Sequence, residues 1–409
     1  MNFSYYLFER TTLRGQGLFG KLIVKIAIGG IAIGLATMLV SVAVVGGFQK
    51  AIPEEITGFW GSIQVTKLNP NSITDSQPIV QNAALSTQIA KIENVAHVQS
   101  FALKAAIAKT SQQFEGIVLK GIDSSFSTVF LKSKMVAGTV FSINAADSLP
   151  SNQILVSQLL ANRLELHVGS RLPVYFIEQP PRMRAFTVAG IYNLGIEAEL
   201  GKPIVIADLR QIQRLNGWAK NQIGGYEIYT KNLKNLNATT ETVRDALPIT
   251  ENAQNIQELY PQLFSWLSLF DTNQKVIIGI MVLVAGINMV SALLILILEK
   301  TTTIGLLKAL GLTNFGIKKM FFYTGTYLIA IGLLLGNGLG LLIIYAQKQT
   351  GFLKLPAQSY YVSEVPVYIT SAQVFWLNVG SLMACATMLW VPLLVINKLS
   401  IVKTIQFKG

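Results

Sequence analysis

Four long apolar stretches divide the chain into one leading span, a long mixed middle section and three closely spaced spans. Each stretch holds roughly 20 residues or more, which as a helix is enough to cross a bilayer core. The stretches run Ile26 to Val45, Val276 to Leu298, Met320 to Tyr345 and Val374 to Ile396. The pattern therefore predicts four transmembrane helices, one before and three after a section too long to be a simple loop.

Basic residues flank these spans at alternate ends. They precede the first span, fill the loop between the second and third, and follow the fourth: Arg10, Arg14, Lys21 and Lys25; Lys300, Lys308, Lys318 and Lys319; Lys398, Lys403 and Lys408. Lys and Arg accumulate on the cytoplasmic side of membrane helices, so both termini are predicted to be cytoplasmic. A cleaved signal peptide is the weaker alternative, because the first apolar run is too long and begins too far from Met1.

The middle section alternates between strand and helix patterns, as an α+β domain does. Predicted strands are Ser62 to Leu68, Val98 to Thr110, Phe114 to Ile122, Gln153 to Val156, Leu172 to Ile177, Ala185 to Ile191 and Tyr226 to Thr230. Predicted helices are Ala84 to Ile92, Ser157 to Leu166 and Thr239 to Ala246, and Ile256 to Phe270 is predicted to run as a stalk into the second span. Two prolines within Glu178 to Arg184 mark the tip of a hairpin.

The predicted organisation assigns every part of the chain to one side of the membrane or to the membrane itself. In residue numbers it is: 1–20, cytoplasmic amphipathic N-terminus; 21–47, first span; 48–272, outer domain with an inserted subdomain at about 131–220; 273–298, second span; 299–319, cytoplasmic segment; 320–346, third span; 347–371, short outer loop; 372–397, fourth span; 398–409, basic cytoplasmic tail.

Composition and candidate chemistry argue against several functional classes. The chain is 51% hydrophobic with a net charge of +12, and because the basic residues border apolar spans, nucleic-acid binding is disfavoured. Cys385 is the single cysteine, so no intrachain disulfide can form. His97 and His167 stand apart from one another, and Glu197 with Glu199 fits a solvated edge. We therefore predict neither a metal site nor an enzyme active site.

Small residues recur at every fourth position in two spans and predict close helix packing. These are Gly30 and Gly34 in the first span and Gly332, Gly336 and Gly340 in the third. The rows fit either packing inside one subunit or pairing with a second permease subunit. Asn288 in the second span is expected to bond to a neighbouring helix. Since none of the spans carries a central charged residue, an ion-coupled transporter is disfavoured.

The cytoplasmic segment after the second span is predicted to form a short amphipathic helix that ends near Gly311. The pattern places Leu306, Leu307, Leu310 and Ile304 on one side, with Gly305 and Ala309 forming a small-residue face beside Lys308. Either an interfacial helix with its leucines in lipid or a docking helix for a cytoplasmic partner fits this pattern.

This segment also carries a motif. The residues EKTTTIGLLKALG from Glu299 resemble the E-[KR]-x-x-x-I-[GA]-[IL]-[LM]-[KR]-[AS]-[LM]-G motif of the FtsX-like permease family, with Thr303 replacing the usual Glu. In the outer domain, ILVSQLLANRLELHVGSRLPVYFI resembles a stretch of the same permease family, and IADLRQIQRLNGWAKNQIGGYEIYTKN resembles the lipoprotein-releasing ABC transporter permeases within it. The resemblance implies that the segment is a coupling helix contacting a separate ATPase through Glu299, Lys300, Ile304, Gly305, Leu307, Lys308, Ala309, Leu310 and Gly311.

The same resemblance implies a type VII ABC transporter permease in the bacterial inner membrane, with a MacB-like periplasmic core made of a porter part and an inserted part. A second copy or a sibling permease would complete the dimer. ATP and Mg would bind to the partner ATPase, since the chain has no Gly-x-x-x-x-Gly-Lys-Ser/Thr motif. The cargo would be a lipoprotein released from the outer leaflet. A periplasmic chaperone would dock on the hairpin formed by Gln179, Pro180, Pro181, Arg182, Met183 and Arg184.

Other functions of related permeases remain alternatives. Signalling to a cell wall hydrolase is disfavoured by the size of the outer domain, because such permeases usually have a much smaller one. Efflux of small molecules or peptides is normally associated with an ATPase fused to the permease; this sequence shows no fused ATPase, although split forms of such exporters exist.

Overall fold

The computed structural model describes residues 18–68, 74–111, 113–143, 149–178, 180–194, 202–356, 362 and 364–396. They divide into two compact units. We call the first the helical unit; its described residues are those up to Gln49, Trp266–Lys354 and those from Val365 on. The second, the mixed unit, contains Lys50–Ser265 and Leu355–Glu364.

The helices are numbered along the chain. They are α1 (Leu18–Trp60), α2 (Ala83–Ala90), α3 (Thr128–Ser133), α4 (Gln158–Leu164), α5 (Leu209–Asn216), α6 (Leu236–Ala246), α7 (Ile256–Leu259), α8 (Pro261–Glu299), α9 (Thr301–Ala309), α10 (Asn314–Thr350), α11 (Ser371–Met388) and α12 (Trp390–Val395).

The strands are numbered in the same way. They are β1 (Ile63–Lys67), β2 (Ile79–Val80), β3 (Val95–Lys109), β4 (Phe114–Ile122), β5 (Met135–Gly138), β6 (Gln153–Ser157), β7 (Arg171–Phe176), β8 (Arg182–Tyr192), β9 (Ile204–Asp208), β10 (Gln222–Ile223), β11 (Gly225–Thr230) and β12 (Glu251–Asn255).

In the part of the chain that the structure describes, four helices are long and apolar enough to cross a membrane: α1, α8, α10 and α11 with its short continuation α12. The predicted four spans, arranged one and three around an α+β domain, are confirmed. The helices run past the predicted spans: α1 has 43 residues, which at 1.5 Å per residue is roughly 65 Å, about twice the thickness of a bilayer core. The hydrophobic core of the helical unit is formed by residues such as Leu35, Met289, Phe321 and Leu389.

The predicted stalk is divided into two helices. Residues 256–259 form α7, and α8 begins at Pro261. A proline disfavours helical geometry in the residue before it, and Tyr260 accordingly has φ −125° and ψ 56°. Proline is well suited to the first position of a helix, where an N–H would have no partner, so the longer helix starts there.

In the described part of the mixed unit, ten strands form one sheet in the order β12-β1-β11-β3-β4-β9-β6-β8-β5, with β7 pairing with both β3 and β8. Most neighbours are antiparallel, whereas β4 with β9 and β6 with β8 are parallel. The helices α2, α5 and α6 pack on this sheet. Strands β5 to β9, which fall within the predicted inserted subdomain, belong to the same sheet as the strands that flank them; that subdomain stays a prediction.

Candidate functional site

The short helix α9 presents leucines to the outside. Leu306 is 59% and Leu310 is 76% exposed, whereas Ile304 is buried against the transmembrane helices. The predicted common face of Ile304 with Leu306 and Leu310 is therefore wrong. At 100° per residue, positions two and six residues away lie on the opposite side of the helix, so Ile304 anchors α9 and the two leucines form the exposed edge.

Local geometry fixes the C-terminal end of α9 and the start of α10. Gly311 has φ +91°, a left-handed conformation that suits glycine, and the Leu312 N–H donates to the Leu307 carbonyl at 2.9 Å. Thr313 then caps α10 by accepting a hydrogen bond from the Gly316 N–H at 3.3 Å. These two caps make a tight corner between α9 and the next long helix.

Three charged residues of the predicted coupling segment interact within the chain. The Lys308 Nζ donates to the Ile396 carbonyl at 3.3 Å, at the end of the last described helix. Lys300 and Glu299 lie side by side, with Nζ and Oε1 3.8 Å apart. Lys308 therefore links α9 to the fourth span, and contact of any of these residues with an ATPase stays a prediction.

The glycine row of α10 packs against α1 of the same chain. A Cβ placed on Gly332 would lie 2.7 Å from Ile31, and one on Gly336 would lie 2.8 Å from the Ala32 carbonyl oxygen. Gly340 meets Leu39 and Ala36 in the same way. The row allows two helices of one chain to approach closely, so that face is occupied inside the subunit.

The glycines of α1 face α8. A Cβ on Gly30 would lie 2.8 Å from Asn288 Nδ2, and one on Gly34 would lie 3.5 Å from the Ala285 Cβ. The Asn288 amide, which was expected to bond to a neighbouring helix, thus lies against the backbone of α1. A substitution at Gly30 would have to displace that amide.

Sequence reasoning missed a pair of asparagines inside the third and fourth spans. Asn337 donates to the Asn378 Oδ1 at 2.7 Å, and Asn378 donates to the Asn337 Oδ1 at 2.9 Å. Each amide also donates to a carbonyl one turn earlier in its own helix, Leu333 and Val374. The sequence did contain a signal for this pair, because Asn337 and Asn378 are polar residues within apolar runs, as Asn288 is.

An apolar groove of about 640 Å³ runs along α1, α8 and α10 in the helical unit. Nine of its thirteen lining residues are aliphatic or aromatic, and the other four, Thr37, Ser41, Asn273 and Gln274, are polar. The lining residues are Ile33, Ala36, Thr37, Val40, Ser41, Val44, Val45, Phe270, Asn273, Gln274, Ile277, Leu339 and Ile343. Its volume falls within the range of small-molecule sites.

Strands β7 and β8 pair as the predicted hairpin. Gln179 of its turn lies outside the described residues. Pro180, Pro181 and Arg184 are exposed, as is Met183 at 53%. Arg182 donates to the Leu215 carbonyl at 2.9 Å. The turn of the hairpin is further fixed by an ion pair of 2.8 Å between Glu178 and Lys104.

Ile177 is 82% exposed at the start of the turn. Met183 is exposed as well, so two apolar side chains of this hairpin reach solvent.

Among the described residues, no three potential metal ligands come together. The His97 side chain has a hydrogen-bond partner within the fold, because its Nε2 lies 2.8 Å from the Ser125 carbonyl oxygen.

The described residues form four helices of membrane length. A sheet-based domain follows the first of them, and a short helix with a capped end follows the second. This architecture is that of an integral membrane protein of the permease class. Residues 26–248 match the family described as MacB-like periplasmic core domain, and residues 275–401 match the FtsX-like permease C-terminal family. The chain therefore belongs to the MacB-like periplasmic core domain family and carries an FtsX-like permease region. The predicted resemblance is confirmed.

Named relatives cover most of the chain. The lipoprotein-releasing system transmembrane protein LolC of Neisseria meningitidis serogroup B is 24% identical over 373 residues, which is 85% of each protein. The corresponding LolE protein of Haemophilus influenzae is 20% identical over 382 residues, 89% of this chain and 88% of that one. The crystallised periplasmic region of MacB from Actinobacillus actinomycetemcomitans aligns with 52% of this chain and 97% of its own, with 13% identity and a TM-score of 0.35.

Proposed function

We propose that this chain is the permease subunit of an ABC transporter that uses ATP hydrolysis in a separate subunit to release lipoproteins from the outer leaflet of the bacterial inner membrane. The observation that carries the proposal is the apolar groove along α1, α8 and α10, which has the chemistry to hold acyl chains. The similarity to relatives named as lipoprotein-releasing proteins supports the same cargo.

The coupling to ATP is proposed to run through α9. Its exposed Leu306 and Leu310 would enter a groove on the ATPase, while buried Ile304 and the Lys308 link to the fourth span would carry the movement into the membrane helices. ATP and Mg would bind to the partner ATPase. Both termini of the permease would be cytoplasmic, in agreement with the distribution of basic residues.

Two further partners complete the proposal. A second permease, either another copy or a sibling, would pair with this one; relatives of both the LolC and the LolE type match the chain, so the similarity favours neither. A periplasmic lipoprotein chaperone would dock on the hairpin through its exposed apolar side chains, Ile177 and Met183. In that case Ile177→Asp with Met183→Asp should abolish chaperone capture in a pull-down, and full capture would contradict the docking role.

The test of the cargo is depletion of this protein in its host, followed by separation of inner and outer membranes. Newly made lipoproteins should accumulate in the inner membrane, and wild-type protein supplied in trans should restore their distribution. Normal lipoprotein distribution together with altered drug sensitivity or cell separation would overturn the lipoprotein assignment in favour of efflux or signalling.

A further inference from the structure

A buried charged cluster crosses three neighbouring strands of the mixed unit. Lys120 on β4 and Glu227 on β11 have no solvent exposure, and their Nζ and Oε1 atoms are 2.7 Å apart. Gln99, on β3 between them, donates to the Glu227 Oε2 at 2.8 Å. The cluster therefore joins β11, β3 and β4 through polar side chains that water does not reach.

Lys120 also binds the end of α1. Its Nζ donates to the Phe59 carbonyl at 2.5 Å and lies 4.5 Å from the centres of both the Phe59 and the Trp60 rings. The last carbonyls of a helix lack intrahelical partners and carry a partial negative charge. Because α1 has no basic residue in its own last turn, Lys120 provides the cation at this helix end from a distant strand.

Stability alone does not account for such a pair. Burial lowers the pKa of Lys120 by disfavouring its charged form, and the Glu227 charge acts in the opposite direction. A buried ion pair can often be replaced by apolar residues of similar volume with no loss of stability. What apolar packing cannot supply is a directional bond between one strand and one particular carbonyl of the helix end.

We propose that Lys120 is a positioning residue that ties the C-terminal turn of α1 to β4 and β11, so that a displacement along α1 is passed to the sheet instead of being lost by sliding at the helix end. The helix is continuous from Leu18 to Trp60, which makes its fixed end a point where force can be delivered. The mechanical part of this inference rests on the proposed ATP-driven function.

The first test measures the attachment itself by hydrogen–deuterium exchange on the complete transporter in nanodiscs. The variant Lys120→Met with Glu227→Gln removes both charges, so no unpaired charge is left buried. Backbone amides of residues 54–60 should exchange about tenfold faster, the effect of losing a charged hydrogen bond, while those of β3 keep their protection. Unchanged exchange at 54–60 would overturn the attachment.

The matched control is Glu115→Gln. Glu115 lies on β4, as Lys120 does, and the substitution breaks its ion pair with Arg163 of α4. It should leave the exchange of residues 54–60 unchanged. Equal acceleration in the control would overturn the specific role of Lys120.

The second test measures coupling. In the double variant, ATP hydrolysis should continue at the wild-type rate while release of lipoprotein per ATP falls severalfold; wild-type release with loosened α1 amides would overturn the positioning role. If the wild-type transporter releases no lipoprotein, the proposed function fails, and the exchange measurement still decides whether Lys120 holds the helix end.

Discussion

Single residues inside the membrane-spanning helices show how polar groups are satisfied without water. The amides of Asn337 and Asn378 bond reciprocally across α10 and α11, and each also bonds to its own backbone. In an apolar medium an unpaired amide costs free energy, so the two side chains favour one register of these helices.

Replacing one of the two asparagines should therefore lower the free energy of unfolding more than replacing both. Asn337→Leu leaves Asn378 without its partner and should lower the free energy of unfolding by about 1–2 kcal/mol. The double variant with Asn378→Leu should recover part of that loss, which a double-mutant cycle in detergent would measure. Additive effects of the two single variants would show that the pair is not coupled.

Buried tyrosines make the mixed unit sensitive to alkali. Burial and the charge of Glu227 raise the pKa of Tyr229 well above 10, and burial likewise raises the pKa of Tyr260. The unfolded chain loses these protons near pH 10, whereas the folded chain keeps them. The stabilisation is therefore complete below pH 10 and is lost as the pH rises above it.

Thermal unfolding of the mixed unit in the intact protein should accordingly start at a lower temperature at pH 11 than at pH 8. Tyr260→Phe should reduce that difference, because one of the buried tyrosines with a raised pKa no longer titrates. An identical pH dependence in wild type and variant would exclude Tyr260 as a source of the effect.

At the scale of elements, packing between α1 and α10 depends on the absence of side chains. At Gly332, Gly336 and Gly340, α10 has no Cβ at the points where it comes closest to α1. The spacing predicts close approach of some helix, since small residues lie on one face. It does not identify the partner, which here is the first span of the same chain.

Enlarging this contact should destabilise the helical unit. Gly336→Val puts a side chain where the Ala32 carbonyl oxygen and the Leu35 Cβ lie within 3 Å of a new Cβ, so overpacking should cost about 1–3 kcal/mol of unfolding free energy. Gly338→Val is the matched control on the same helix, because a Cβ there has no neighbour within 4 Å. Equal losses in both variants would attribute the effect to helix propensity alone.

At the scale of the whole molecule, the proposed contact with the ATPase lies on α9, whereas the folded sheet belongs to the mixed unit. If the exposed edge of α9 is the docking surface, it can be disabled without affecting the fold of either unit. The structure identifies Leu310 as the most exposed apolar residue of that edge, ahead of Leu306.

Leu310→Asp should therefore abolish copurification of the ATPase while leaving membrane insertion intact, and Leu307→Asp should act in the same direction. Ile249→Asp is the control, since Ile249 is 97% exposed in the mixed unit and the substitution adds the same charge there. Retained copurification in Leu310→Asp would contradict the docking surface.

Sequence patterns predicted elements well where the periodicity was strong. The strands at 114–122 and 171–176 and the helix at 83–90 lie within one or two residues of expectation. The strand β12, Glu251–Asn255, was missed because its residues are polar and show no apolar alternation; it forms through pairing with β1. The strand β9 was missed as well. It is a short apolar run without alternation, and it forms through parallel pairing with β4, which the sequence does not reveal.

The sequence by itself determined the number of spans, the α+β nature of the middle section and the motif of α9, because apolar length, period and capping residues are local properties of the chain. Only the tertiary structure decided which helix covers the glycine row, which edge of α9 is exposed, and that Lys120 meets both Glu227 and the end of α1. Those pairings join residues far apart in the chain, and local periodicity carries no information about which distant surface a given face will meet.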